Sequence, residues 1–223
     1  MDNHRTASVT ETIYDALYRQ IIELELKPGH KMSEAEIARQ YDVSRQPVRD
    51  AFYRLSKQGL LLVRPQRATV VTHISVSDIK SVQFIRTALE KETVRAAAAK
   101  IDDIQADLLE LMITRQVQAL SRKNLSEFYQ WDENFHARIC EIAERPEVWD
   151  LITDVKAQAD RIRFLSLNFD AGDALTDHNE IVTALRAHDG EAAAAVITNH
   201  LTRTESSLPR ILAEHASYFK DIT

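Results

Sequence analysis

Four residues in the second half of this 223-residue chain carry the donor atoms that a transition-metal ion takes: Asp132, His136, His178 and His200. Asp132 and His136 are spaced i, i+4, so on a helix their side chains converge on one spot. They lie beside a stripe of Phe128, Trp131, Phe135, Ile139 and Ile142, which must face a core. His178 precedes Ile181 and Val182 by three and four residues, and His200 follows Ile197 and Val196 by the same spacing, so both point inward. A buried imidazole or carboxylate needs partners. One divalent cation would satisfy all four, and imidazole with carboxylate suits Zn, Ni, Mn or Fe. Taken singly, the residues have plainer uses. An Asp–His pair at i, i+4 can be a hydrogen bond on a helix face, an inward histidine can be a satisfied core residue, and Cys140 reads as a small core side chain.

A second chemistry sits in the first half. The run from Asp42 to Leu55 reads as a tight turn feeding a short helix. Ser44 is the expected N-cap, and Pro47 falls in the first turn, where no intrahelical N–H bond is lost. Val48, Ala51, Phe52 and Leu55 recur at helical spacing and form a buried stripe, which leaves Arg45, Gln46 and Arg49 on the opposite, N-terminal face. Donors at that end of a helix suit base edges in the DNA major groove, with arginine to guanine as the natural contact. Ser33, Ser44 and Arg67 are placed to hold phosphates.

The elements that must position these groups follow from the flanking sequence. Ser33 caps a helix running to Tyr41, with Glu36 at the capping-box position, one turn before the first stretch. Thr10 to Leu24 is a third helix with Ile13, Leu17, Ile21 and Leu24 on one face, ended by Lys27-Pro28-Gly29. After Gly59, Leu60–Val63 and Ala68–Val71 flank Arg64-Pro65-Gln66-Arg67 as a small β-hairpin, or wing. The expected division is a DNA-binding domain over residues 1–73 and an all-helical domain over 74–223, with His73–Val76 as linker. Between Gly59 and Gly172 there is no glycine, and helices are expected at about 77–100, 103–122, 125–144, 147–168, 174–188 and 190–217. Ser77, Asp102 and Asn124 are the expected N-caps and Pro146 a first-turn residue, while the alanine runs Ala96–Ala99 and Ala192–Ala195 mark close helix packing. The fold class is mostly α: a winged helix-turn-helix followed by an antiparallel helical bundle.

Charge agrees with this division. The formal net charge of −6 splits into about +2 over residues 1–73 and about −8 over the rest. The acidic half is expected to stay off the phosphates. A single cysteine excludes an intrachain disulfide, and Met1-Asp2-Asn3-His4-Arg5 lacks the apolar run of a secretion signal. No stretch has the length of apolar residues that spans a bilayer, so a cytoplasmic protein with no membrane partner is expected.

Leu26-Lys27-Pro28-Gly29, Ser33-Glu34, Ile37-Ala38, the run Val43 to Ala51, Leu55 and Gly59-Leu60 resemble the GntR family of winged-helix repressors over residues 9 to 72. Ala68 stands near the wing tip, where that family usually has glycine, and alanine resists positive φ, so a differently shaped wing is expected. Asp132-Glu133-Asn134-Phe135-His136, His178-Asn179-Glu180-Ile181, His188 to Ala193 and Asn199-His200-Leu201 resemble the FCD effector-binding domain of FadR-type members over residues 77 to about 218. That resemblance implies that Asp132, His136, His178 and His200 are metal ligands and that Arg86 faces an effector cavity. The plainer use of Arg86 is a pair with Glu90 at i+4, and of Arg161 and Arg163 either could face the cavity. The implied protein is a homodimeric regulator on a palindromic double-stranded operator, not an enzyme. Its effector would be a small carboxylate that displaces metal-bound water; because the acyl-CoA-responsive members of the family lack this ligand set, the resemblance disfavours an acyl-CoA. The alternatives are a metal-dependent enzyme built on the same ligands, or a regulator whose metal is structural or is itself sensed.

Overall fold

The structure is a computed structural model that describes residues 8–64 and 66–220; residues 1–7, 65 and 221–223 lie outside the described residues. The described chain forms two compact units, residues 8–76 with 215–220, and residues 77–214.

The first unit contains α1 (Val9–Ile22), β1 (Lys31–Met32), α2 (Glu34–Gln40), α3 (Arg45–Lys57), β2 (Leu61–Leu62) and β3 (Thr69–Val71). Ser8 opens α1 by accepting from the Glu11 N–H, and Ser33 opens α2 by accepting from the Glu36 N–H, each at 3.2 Å. Ser44 holds the N-cap position of α3 in extended conformation, but its hydroxyl makes no capping bond. Between α2 and α3 the backbone turns through Asp42, whose φ of 52° is a left-handed value that a short polar side chain tolerates. The core is α1 against α3: Ile13, Leu17 and Ile21 meet Val48, Ala51, Phe52 and Leu55, all of them buried. The expected hairpin is present, with Leu61 opposite Val71 and Leu62 opposite Val70. A third strand was not foreseen: β1 pairs antiparallel on the other side of β3, giving the order β1-β3-β2. Two residues carry too little alternation to be read as a strand. At the wing tip the left-handed residue is Gln66, with φ of 56°, so Ala68 is spared that conformation. Residues 215–220 also belong to this unit, where Ile74 bridges to Phe219.

The second unit is built from α4 (Val76–Ala98), α5 (Asp103–Ser121), α6 (Leu125–Ile142), α7 (Pro146–Arg186) and α8 (Gly190–Glu214). Asp102 and Gln105 close a capping box on α5, Asn124 caps α6 through the Glu127 N–H, and Pro146 opens α7. Ser77 lies inside α4 rather than capping it. The expected helices 147–168 and 174–188 are one helix of 41 residues that runs through Gly172. A glycine inside a helix costs about 1 kcal/mol relative to alanine, and the packed Ala171 and Ala174 on either side hold the helix together across it. The buried core joins Val94, Ala97 and Ala98 of α4, Leu109 and Ile113 of α5, Phe135 and Ile139 of α6, Ile181 and Leu185 of α7, and Ala193, Ala194 and Ile197 of α8. Both alanine runs contribute to it, and α4 passes so close to α8 that a Cβ on Gly190 would lie 3.4 Å from the Arg95 Cα. Trp131, expected in the α6 core stripe, is only half-buried because it sits at the edge of that face. No helix among the described residues is long and apolar enough to cross a membrane.

Candidate metal centre

Asp132 and His136 come from α6, His178 from α7 and His200 from α8, and all four are buried. One ligand atom from each lies within 4.8 Å of the others. The three imidazole centroids are 4.7–5.5 Å apart, and Phe135 stacks on His178 at 4.3 Å, which fixes that ring.

The second nitrogen of each ring explains the orientation. His136 Nδ1 lies 2.7 Å from Glu90 Oε2, His178 Nδ1 lies 2.8 Å from Gln116 Oε1, and His200 Nδ1 lies 3.2 Å from Asp177 Oδ2. An acceptor beside Nδ1 makes that nitrogen the N–H donor and leaves the Nε2 lone pair on the other side of the ring. The Nε2 atoms of His136 and His178 are buried and have no hydrogen-bond partner in the described residues. Two orphaned acceptors beside a carboxylate are what a cation would satisfy. His178 Nε2 is 3.5 Å from Asp132 Oδ1, too long for a sound hydrogen bond.

Electrostatics favour the ligating state of Asp132, His178 and His200. Burial pushes His178 far below its ordinary value, with His200 adding to the effect, and burial brings His200 to about 4 against the opposing effect of its hydrogen bond to Asp177. Both rings are therefore neutral near pH 7, as a ligand must be. Burial would raise the Asp132 carboxyl, but the Arg163 guanidinium, 2.8 Å away, and the neighbouring histidines hold it well below the usual carboxylate range. Glu90 is likewise opposed by burial yet drawn down to about 2 by Arg86 and His136.

The structure places Arg86 in the buried pair with Glu90, Nε to Oε1 at 2.8 Å, and also on the wall of the cavity beside the cluster. Arg163, not Arg161, faces this cavity; Arg161 is fully buried beside Gln158, and burial lowers its guanidinium to about 10. Gln83, Arg86, Asp132, His136, Arg163, His200 and Thr204 line a space of about 10 Å³, room for about one water molecule. Cys140 is a buried thiol pushed up to about 12 by burial and Glu90, which suits a core side chain. Sequence reasoning missed Gln116 and Asp177 and saw Glu90 only as the partner of Arg86.

On the first unit, Ser33, Ser44, Arg45, Gln46, Arg49 and Arg67 are all exposed. Ser33 uses its hydroxyl oxygen to cap α2. Arg49 is engaged by Glu34, and Gln46 by Asp50.

A winged helix-turn-helix unit joined to a helical unit with a buried Asp–His cluster is the build of a bacterial transcriptional regulator. The chain belongs to the GntR family of bacterial regulatory proteins, which it matches over residues 9–71, and it carries an FCD domain over residues 82–203. It is 36% identical over 218 residues to the HTH-type transcriptional repressor RspR of Escherichia coli (strain K12), covering 97% of this chain and 96% of that protein. It is 31% identical over 211 residues to an uncharacterized HTH-type transcriptional regulator in an unstable DNA locus of Streptomyces ambofaciens, covering 93% and 88% of the two chains. The solved structure of E. coli McbR/YncC shares the fold with a TM-score of 0.80 at 20% identity, over 91% of this chain and 98% of that one.

Proposed function

We propose that this regulator binds its operator as a homodimer and that a small organic acid, taken up at a metal held by Asp132, His136, His178 and His200, sets its affinity for DNA. Residues 1–73 would grip duplex DNA, with Arg45, Gln46 and Arg49 at base edges and Ser33, Ser44 and Arg67 on phosphates. Residues 74–223 would dimerise and receive the effector. The observation that carries the metal is the set of three imidazoles, each with a side-chain oxygen beside Nδ1, and two buried Nε2 atoms left unpartnered beside one carboxylate. A bound Zn, Ni, Mn or Fe dication supplies a Lewis-acidic anchor for a carboxylate oxygen.

Arg86 and Arg163 would receive the rest of the acid. With room for about one water, the cavity must open to admit it. The contact best placed to yield is Arg163 on Asp132, since Asp132 serving as a metal ligand would leave the guanidinium to an incoming anion. Release of DNA requires the acid to favour the released form by about 1.4 kcal/mol for each tenfold loss of operator affinity.

Elemental analysis of purified protein supplied with divalent ions is the first test. One equivalent of metal in the wild type, lost in a His136→Ala/His178→Ala double variant, supports the centre; a wild type without stoichiometric metal overturns it. Thermal-shift screening against small carboxylates, with and without metal, then tests the effector. The tightness of the cavity favours one rival, in which the metal itself is sensed or is structural. That rival requires operator release, or loss of fold, by chelator alone.

A further inference from the structure

Two of the three side chains expected to read bases are held by acids of their own unit. Arg49 Nε donates to Glu34 Oε1 at 3.3 Å, and Arg49 Nη2 donates to Glu34 Oε2 at 3.1 Å. Gln46 Nε2 donates to Asp50 Oδ1 at 2.9 Å. Glu34 is the first residue of α2, and Arg49 lies one turn into α3, so the pair spans the helix-turn-helix. It also stands in solvent: the Arg49 side chain keeps 59% of its exposure and Glu34 keeps 28%. Exposed pairs contribute little to stability. This one also sets a negative charge beside the side chains that would meet DNA, which weakens attraction to phosphates.

What the geometry achieves is orientation. A guanidinium has five N–H donors. The carboxylate occupies the Nε/Nη2 edge and leaves Nη1 with the second Nη2 proton on the other edge. Those are donors that guanine O6 and N7 can accept in the major groove. We propose that Glu34 is a positioning residue that determines specificity: it locks Arg49 so that the free edge meets a guanine, and its charge penalises binding to DNA that lacks one. The inference rests on α3 being the recognition helix.

The test uses the full chain. Wild-type protein selects its operator from a randomised duplex pool. The operator and a scrambled duplex then probe wild type, Glu34→Gln, Arg49→Ala and the double variant, by fluorescence anisotropy over a range of salt. Glu34→Gln is expected to lower the operator-to-scrambled affinity ratio about tenfold, near the low end of what a bidentate arginine contributes. Binding to the scrambled duplex should hold or tighten, with a salt slope steeper by up to about one unit. A pool selected by Glu34→Gln should lose base preference at the position where Arg49→Ala loses it. In the Arg49→Ala background the Glu34 change should have no further effect on the ratio. Equal weakening on both duplexes, or the same loss without Arg49, overturns the inference while leaving the operator intact. A wild type that selects no recurrent sequence overturns the DNA-reading assignment itself, and the two failures are thereby told apart.

Discussion

The two units place their functional groups in opposite environments. The winged unit displays Arg45, Gln46, Arg49 and Arg67 on its surface from short elements close in sequence. The helical unit buries Asp132, His136, His178 and His200, drawn from α6, α7 and α8 and oriented by side chains of α4, α5 and α7. A surface that meets phosphates can hold charges in water at little penalty. A buried centre must pair every charge and every lone pair, because desolvation is repaid only by a matched partner. The same kind of Arg–Glu contact therefore has different work in the two units. Arg49–Glu34 aims a donor, whereas Arg86–Glu90 keeps a buried network neutral.

The largest expected effect breaks that second pair. Glu90→Ala strands the buried Arg86 guanidinium and removes the acceptor beside His136 Nδ1. Removing one partner of a buried ion pair destabilises by about 3–5 kcal/mol, so denaturant melting should show the helical unit unfolding early, with weaker metal uptake. A loss below about 1 kcal/mol, the range of an exposed pair, would erase the distinction between the units.

Acid should weaken the helical unit next. His200 stands at about 4 in the fold, and His178 is also pushed far down, against an ordinary value of 6.5. Because the unfolded chain takes up these protons first, metal-free protein is expected to lose stability as the pH falls from about 6.5 to about 4 and to gain nothing above that window. The His200 share is on the order of 3 kcal/mol. A melting profile flat across this range would show that the imidazoles are not held neutral.

Arg49→Ala sharpens the contrast from the other side. Operator affinity should fall by about 1–3 kcal/mol, with melting changed by less than about 1 kcal/mol, since only an exposed pair is lost. Unchanged operator binding would remove α3 from the groove.

Legibility in the sequence divides along the same line. The run Val43 to Ala51 displays its turn, its cap position and its exposed face within a few residues, so the helix-turn-helix could be read locally. Asp132 and His136 were legible by their i, i+4 spacing, and His178 and His200 by the branched residues beside them. Glu90, Gln116 and Asp177 were not legible as orienting groups, because their partners lie on other helices and are defined only by packing. Asp177 adjoins His178 in sequence yet serves His200 on α8. Arg161 and Arg163 lie two residues apart on a helix buried on several sides around them, so no polar face remained to tell which one faced the cavity.

Gly172 is where local reading misled most, and it yields the smallest prediction. Glycine marked the expected break in α7, but the backbone there is helical and a Cβ would meet nothing within 4 Å. With no steric objection, only the entropy of the unfolded chain and helix propensity separate glycine from alanine. Gly172→Ala should therefore stabilise the helical unit by about 0.5–1 kcal/mol and leave metal content unchanged, read by denaturant melting and elemental analysis. If it destabilises, α7 bends or breaks at residue 172, and His178 is then carried by a separate helix whose angle to α6 could change.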